Sequence, residues 1–152
     1  MDSLLGRAFG ALALVVLAMA ALLFGTAGTW RYWQAWAFLS LYLLCSFAII
    51  VYLMTYDPAL LERRMRGGPF AEKTPAQKII MAFASLGFIG LLAVPGLDHR
   101  FAWSHMPAYA AIAGDVLVLL GLLGTLVVFR ENSFAAATIE VAAEQRVISS
   151  GP

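Results

Sequence analysis

Ala8–Trp30 reads AFGALALVVLAMAALLFGTAGTW, without one charged side chain. A helix rises ~1.5 Å per residue, so a hydrocarbon layer of ~30 Å is crossed by ~20 residues. This stretch is long enough to cross it. Two more charge-free stretches follow at Tyr32–Tyr56 and Ile79–Leu97. A fourth, Ala108–Phe129, carries a single acid, Asp115. Backbone polar groups must pair within lipid, and no short alternating segments suggest a barrel, so each stretch is a helix. The chain is read as an all-α, polytopic membrane protein with the lipid bilayer as its solvent.

Working outward, the spans fall at about 8–30, 33–56, 78–97 and 108–129, within one transmembrane domain of residues 1–129. A polar tail, residues 130–152, follows. The turns after spans one and three are short, which predicts two antiparallel hairpins. Composition agrees: 62% of residues are hydrophobic and 12% charged, with a mean hydropathy of +0.83. Soluble domains are roughly 45–50% apolar. A net charge of +1 gives no reason to expect a nucleic-acid partner. Arg outnumbers Lys and Ala, Gly and Leu abound, as in a GC-rich bacterial gene, so a bacterial plasma membrane is expected. Cys45 is the sole cysteine, which excludes an intramolecular disulfide and a cysteine metal cluster.

Arg7 ahead of an apolar run, with Ala18-Met19-Ala20 inside it, has some features of a cleavable leader. The apolar run continues through Leu22, Leu23 and Phe24, however, and the stretch is read as a retained span. Basic residues then choose the side. With the amino terminus cytoplasmic, Arg7, Arg63, Arg64, Arg66, Lys73, Lys78, Arg130 and Arg146 lie inside, and only Arg31 and Arg100 outside. That bias puts both termini in the cytoplasm. Trp30, Tyr32, Trp33 and Trp36 crowd the first outer turn and Trp103 the second, as interface-anchoring aromatics do.

The inner loop, Asp57–Gln77, carries its own start signal. Asp57 can cap a helix whose first position is Pro58. Leu60, Leu61 and Met65 then share a face, and Gly67-Gly68 stops the turn. A short amphipathic helix on the inner leaflet is expected, with arginines near lipid phosphates. Thr74 and Pro75 start span three, Pro95-Gly96 closes it, and Pro107 starts span four.

Polar residues at membrane depth are few. Asp115 lies about two turns after Pro107, nearer the outer interface than the midplane, and is expected to face a polar partner in the bundle. Gly114, Gly121 and Thr125 fall close to one face of span four, and Gly6 and Gly10 on span one, as small residues do where helices approach. Copies of the chain could associate through such faces. Asp98, His99 and His105 share the outer loop Asp98–Pro107. Their spacing fits no metal motif, so a solvated turn is expected and no metal is assigned.

The tail runs Arg130-Glu131-Asn132-Ser133-Phe134, then an alanine-rich spacer, then Gln145-Arg146-Val147-Ile148-Ser149-Ser150-Gly151-Pro152. Asn132-Ser133-Phe134 followed by Gln145-x-Val-Ile-Ser-Ser-Gly-Pro resembles the membrane methyltransferases related to isoprenylcysteine carboxyl methyltransferase. Asp57-Pro58-x-Leu60-Leu61-Glu62-Arg63-Arg64 and Asp98-x-Arg100-Phe101-x-Trp103 also look like bacterial members. The likeness covers the whole chain and is most specific in the last twenty or so residues. It implies S-adenosylmethionine as cofactor and methyl transfer to a lipid-linked or small hydrophobic acceptor. A carboxylate acceptor needs positioning more than acid–base help. It further implies that Gln145, Val147 and Gly151 line the cofactor's edge, with Asn132 a polar anchor behind them. No residue is assigned a catalytic role. In the family this run leads into Tyr and then Arg-His-Pro-x-Tyr, which form much of the cofactor pocket. The chain stops at Pro152, so the resemblance is to an amino-terminal portion without methyl transfer of its own. Two other readings stand beside it. One is a noncatalytic four-helix membrane protein. The other is a steroid-type reductase architecture, for which no glycine-rich dinucleotide fingerprint is present.

Overall fold

A computed structural model describes residues 2–66 and 75–132. They form α1 (Asp2–Ala27), α2 (Trp33–Tyr56), α3 (Pro58–Arg66), α4 (Pro75–Phe101) and α5 (Ala108–Glu131), with no strand among the described residues. Within them Leu4–Ala27, Trp33–Tyr56, Ala76–Phe101 and Ala108–Glu131 are long and apolar enough to cross a membrane. The all-α, four-span architecture is as expected.

Local chemistry sets the helix ends. Gly28 takes the left-handed conformation, φ +66°, and its N–H meets the Phe24 carbonyl at 2.9 Å, which stops α1. Asp57 serves two helices at once. Its N–H closes α2 on the Leu53 carbonyl at 2.8 Å, and its Oδ1 accepts the Leu60 N–H at 2.9 Å to start α3. Pro75 occupies the first position of α4 as expected, while Thr74, the glycine pair 67–68 and Lys73 lie outside the described residues.

Pro95-Gly96 does not close the third span. The helix runs through both residues to Phe101, so Asp98 and His99 belong to α4 and the turn is confined to residues 102–107. Pro95 has no N–H for the Leu91 carbonyl one turn back, yet neighbouring groups in a membrane bundle let a helix continue past such a gap. Gly96 has a different purpose from a terminator. A Cβ there would run into the Thr26 hydroxyl and stand 2.8 Å from the Leu23 carbonyl oxygen, so α1 passes almost against its backbone. The glycines singled out in the sequence behave otherwise. A Cβ added at Gly6, Gly10, Gly114 or Gly121 would meet nothing within 4 Å. Among the described residues no other helix closes on those four positions.

The helices stand in the order α4–α1–α2–α5. α4 packs along α1 and α5 along α2, while α4 and α5, though consecutive spans, scarcely touch. Spans one and two make a packed antiparallel hairpin; the second pair is antiparallel by connection and splayed across the first. The neighbours α1 and α4 therefore run parallel, as do α2 and α5. Two apolar clusters hold this arrangement. Near the α1–α2 turn, Met19, Leu23, Phe24 and Ala27 of α1 meet Ala35, Leu39 and Leu92. At the opposite end, Leu60 and Leu61 of α3 are buried with Ala8, Leu53 and Phe129.

That second cluster corrects the expected placement of α3. Its apolar face is spent on the base of the bundle rather than on the inner leaflet. Arg64 lies over the Phe129 ring, 4.4 Å from its centre, and burial of this guanidinium pulls its pKa down. A leucine pair with an aromatic within reach is better buried against protein than left at a wet interface.

Candidate functional site

Because α4 and α5 diverge, a cleft opens between them toward the end that carries the α1–α2 and α4–α5 turns. Its apolar part has a volume of about 280 Å³. Leu23 of α1 and Ala35 and Phe38 of α2 form the floor. Leu91, Leu92 and Pro95 of α4 make one wall, and Ala111, Gly114, Asp115 and Val118 of α5 the other. A more polar vestibule of about 380 Å³ adjoins it and shares Tyr32, Gln34, Pro95 and Ala111. Asp98, His99, Ser104 and His105 line that outer part.

Tyr32 shapes the junction. It is 8% exposed, unlike Trp30, Trp33 and Trp36, which are about half exposed or more, so it leaves the aromatic belt in which the sequence placed it. Its hydroxyl donates to the Pro95 carbonyl at 3.3 Å, and its ring stacks on His99 with centroids 4.2 Å apart. Burial, with a smaller push from the Asp98 charge, raises the phenol's pKa and keeps it a donor. The belt proper is the Trp30–Trp36 pair, joined by the Trp36 indole N–H on the Trp30 carbonyl at 3.0 Å and flanking Phe24.

Asp98, expected to belong to a solvated turn, has a structural use. Asp98 accepts the Ser104 N–H and hydroxyl, each at 2.7 Å, and so ties the turn back to α4. No group of three His, Cys, Asp or Glu side chains able to hold a metal occurs among the described residues. Asp115, Gln34 and Tyr32 are the polar side chains that line the deep cleft among the described residues. The expected polar partner of Asp115 is not found: no hydrogen bond to its carboxylate exists among the described residues, and it borders the cleft instead. Gln34 was missed in the sequence. Its Oε1 is buried and accepts no hydrogen bond. The available signal was an amide one residue into an otherwise apolar span. No known relative sharpens this picture. No protein-family model, curated protein or solved structure matches the chain.

The residues tied to a cofactor by resemblance, Gln145, Val147 and Gly151, lie outside the described residues. Asn132 is described. It ends α5 with its N–H on the Val128 carbonyl at 2.9 Å, at the α3 end of the bundle. The cleft and the start of the tail are thus at opposite ends of the helices. Chemically, the cleft joins a mainly apolar recess to a polar vestibule, with neither Lys nor Arg among the described lining residues.

Proposed function

We propose that this chain supplies the membrane-embedded part of an S-adenosylmethionine-dependent methyltransferase of the isoprenylcysteine carboxyl type. The acceptor is lipid-linked or a small hydrophobic molecule, and the membrane is the bacterial plasma membrane. The observation that carries this reading is the run from Asn132 through Gln145, Val147, Gly151 and Pro152. It follows directly on the last span. In support, α5 ends beside α3, so the tail departs from the end that carries Arg63, Arg64 and Arg130. A polar, carboxylate-bearing cofactor arriving from the cytoplasm would meet a basic rim there, and Gly151 would let backbone come close to it.

Translation of the DNA past the Pro152 codon is expected to give Tyr and, soon after, Arg-His-Pro-x-Tyr. The product of that whole reading frame should bind labelled S-adenosylmethionine in detergent, and Gly151→Val should weaken binding by about tenfold, a loss of ~1.4 kcal/mol. A frame without the motif, or a product that ignores the cofactor, leaves the noncatalytic four-helix membrane protein as the better reading.

The orientation rests on the eight-to-two distribution of basic residues, with both termini cytoplasmic. Reporter fusions placed ahead of Asp2 and after Asn132 should be active only on the cytoplasmic side. An amino-terminal fusion active outside would reverse the assignment and take the basic rim away from the cofactor.

A further inference from the structure

The cleft between α4 and α5 is not accounted for by methyl transfer, since it opens at the opposite end of the bundle from Asn132. Two acceptor groups belong to residues that line its apolar part: the Gln34 Oε1 and the Asp115 carboxylate. The first is buried and accepts no hydrogen bond. The second has no hydrogen-bond partner among the described residues. Acceptors without donors gathered in one recess are suited to a ligand that brings donors.

Charge narrows the ligand further. Among the described residues the recess holds one acid, and no Lys or Arg lines either it or the vestibule. An anionic head would meet a carboxylate and have no cation to pair with. An alcohol would satisfy one acceptor and leave the acid uncompensated. An ammonium group offers several donors and the opposite charge, which suits Asp115 and Gln34 together. The remaining walls are aliphatic or aromatic, and among the described residues α4 and α5 scarcely touch, which leaves a way out to the side for a hydrocarbon tail. The geometry points to a binding site for an ammonium-headed amphiphile, its head between Gln34 and Asp115 and its tail leaving between α4 and α5. The ammonium can belong to a free lipophilic amine or to an amine-headed lipid.

The test uses the full chain in phosphatidylcholine nanodiscs, offered dodecylamine, dodecanol and dodecanoate at equal concentration, with bound ligand read by native mass spectrometry. Dodecylamine should be retained about tenfold better than the other two, as loss of a charge-assisted hydrogen bond implies. Asp115→Asn and Gln34→Leu should each remove most of that preference. Gln34→Glu should strengthen it, a gain that misfolding cannot produce. Replacing part of the phosphatidylcholine with phosphatidylethanolamine identifies the source. Reduced dodecylamine retention marks the lipid amine as occupant, and unchanged retention marks a free amine; either fits the site. Equal retention of the three amphiphiles, or no change in all three variants, overturns the proposal.

Discussion

Gly96→Val is expected to part α1 from α4 and to destabilise the bundle more than any other single substitution of a glycine. The reason is geometric. Even a methyl group at this position would collide with the Thr26 side chain and crowd the Leu23 carbonyl, which is backbone and cannot rotate away. Thr26 is itself held in place, since its hydroxyl donates back to the Leu22 carbonyl at 2.6 Å. Forcing extra carbons into a close-packed contact typically costs about 1–3 kcal/mol, and valine adds three. In lipid this loss is severe in proportion, because helices there associate through packing rather than through escape from water. Unfolding in mixed detergent, followed by circular dichroism, measures the effect. Gly121→Ala is the matched control, because nothing lies within 4 Å of its Cβ position. Alanine there should be neutral or slightly stabilising, by up to ~1 kcal/mol of helix propensity. If the two variants unfold alike, the close approach of α1 and α4 at Gly96 is wrong.

Leu60→Ala is the second substitution with a large expected effect. Leu60 is fully buried, at 0% exposure, between the base of the bundle and the rest of α3. Removing three carbons from such a position costs about 2–5 kcal/mol, the spread reflecting how far neighbours collapse into the space. Its partners Leu53 and Phe129 belong to α2 and α5, so the loss falls on the joint between three helices. The helix cap at Asp57 remains intact in this variant, and local helix formation alone would not protect the segment. Trypsin should therefore cut at Arg63, Arg64 and Arg66 markedly faster than in the parent protein. Ala59→Ser, at an exposed neighbouring position, should leave the rate unchanged. Equal digestion of Leu60→Ala and the parent would return α3 to the leaflet surface that its amphipathic pattern first suggested.

These residues also mark where the sequence was legible. Length without charge was enough for four spans, because a hydrocarbon layer accepts little else. Asp57-Pro58 was enough for the start of α3, because an N-cap is a local device. Pro95-Gly96 was misread for the same reason: both are local stop signals, and both were overruled by a neighbour many residues away in sequence. Gly96 answers to Leu23 and Thr26, and Tyr32 answers to Pro95 and His99. Tyr32 looked like its tryptophan neighbours because nothing nearby in sequence distinguishes an anchoring ring from a buried one. The cleft was invisible for a deeper reason. Gln34 and Asp115 are brought together only by which helix stands beside which, and consecutive spans were the natural pairs to assume. Parallel pairing of α1 with α4 and of α2 with α5 leaves no periodic trace in either strongly apolar partner.

The splayed stance of α4 and α5 has a mechanical corollary. Among the described residues α5 has one extensive neighbour, α2, supplemented at its far tip by Arg64 against Phe129. Rocking of α5 about that single seam would widen the lateral gateway while the α1–α4 contact at Gly96 stays shut. Guests of different girth could thus be admitted by one tilting rod, with the other three spans serving as its fixed frame.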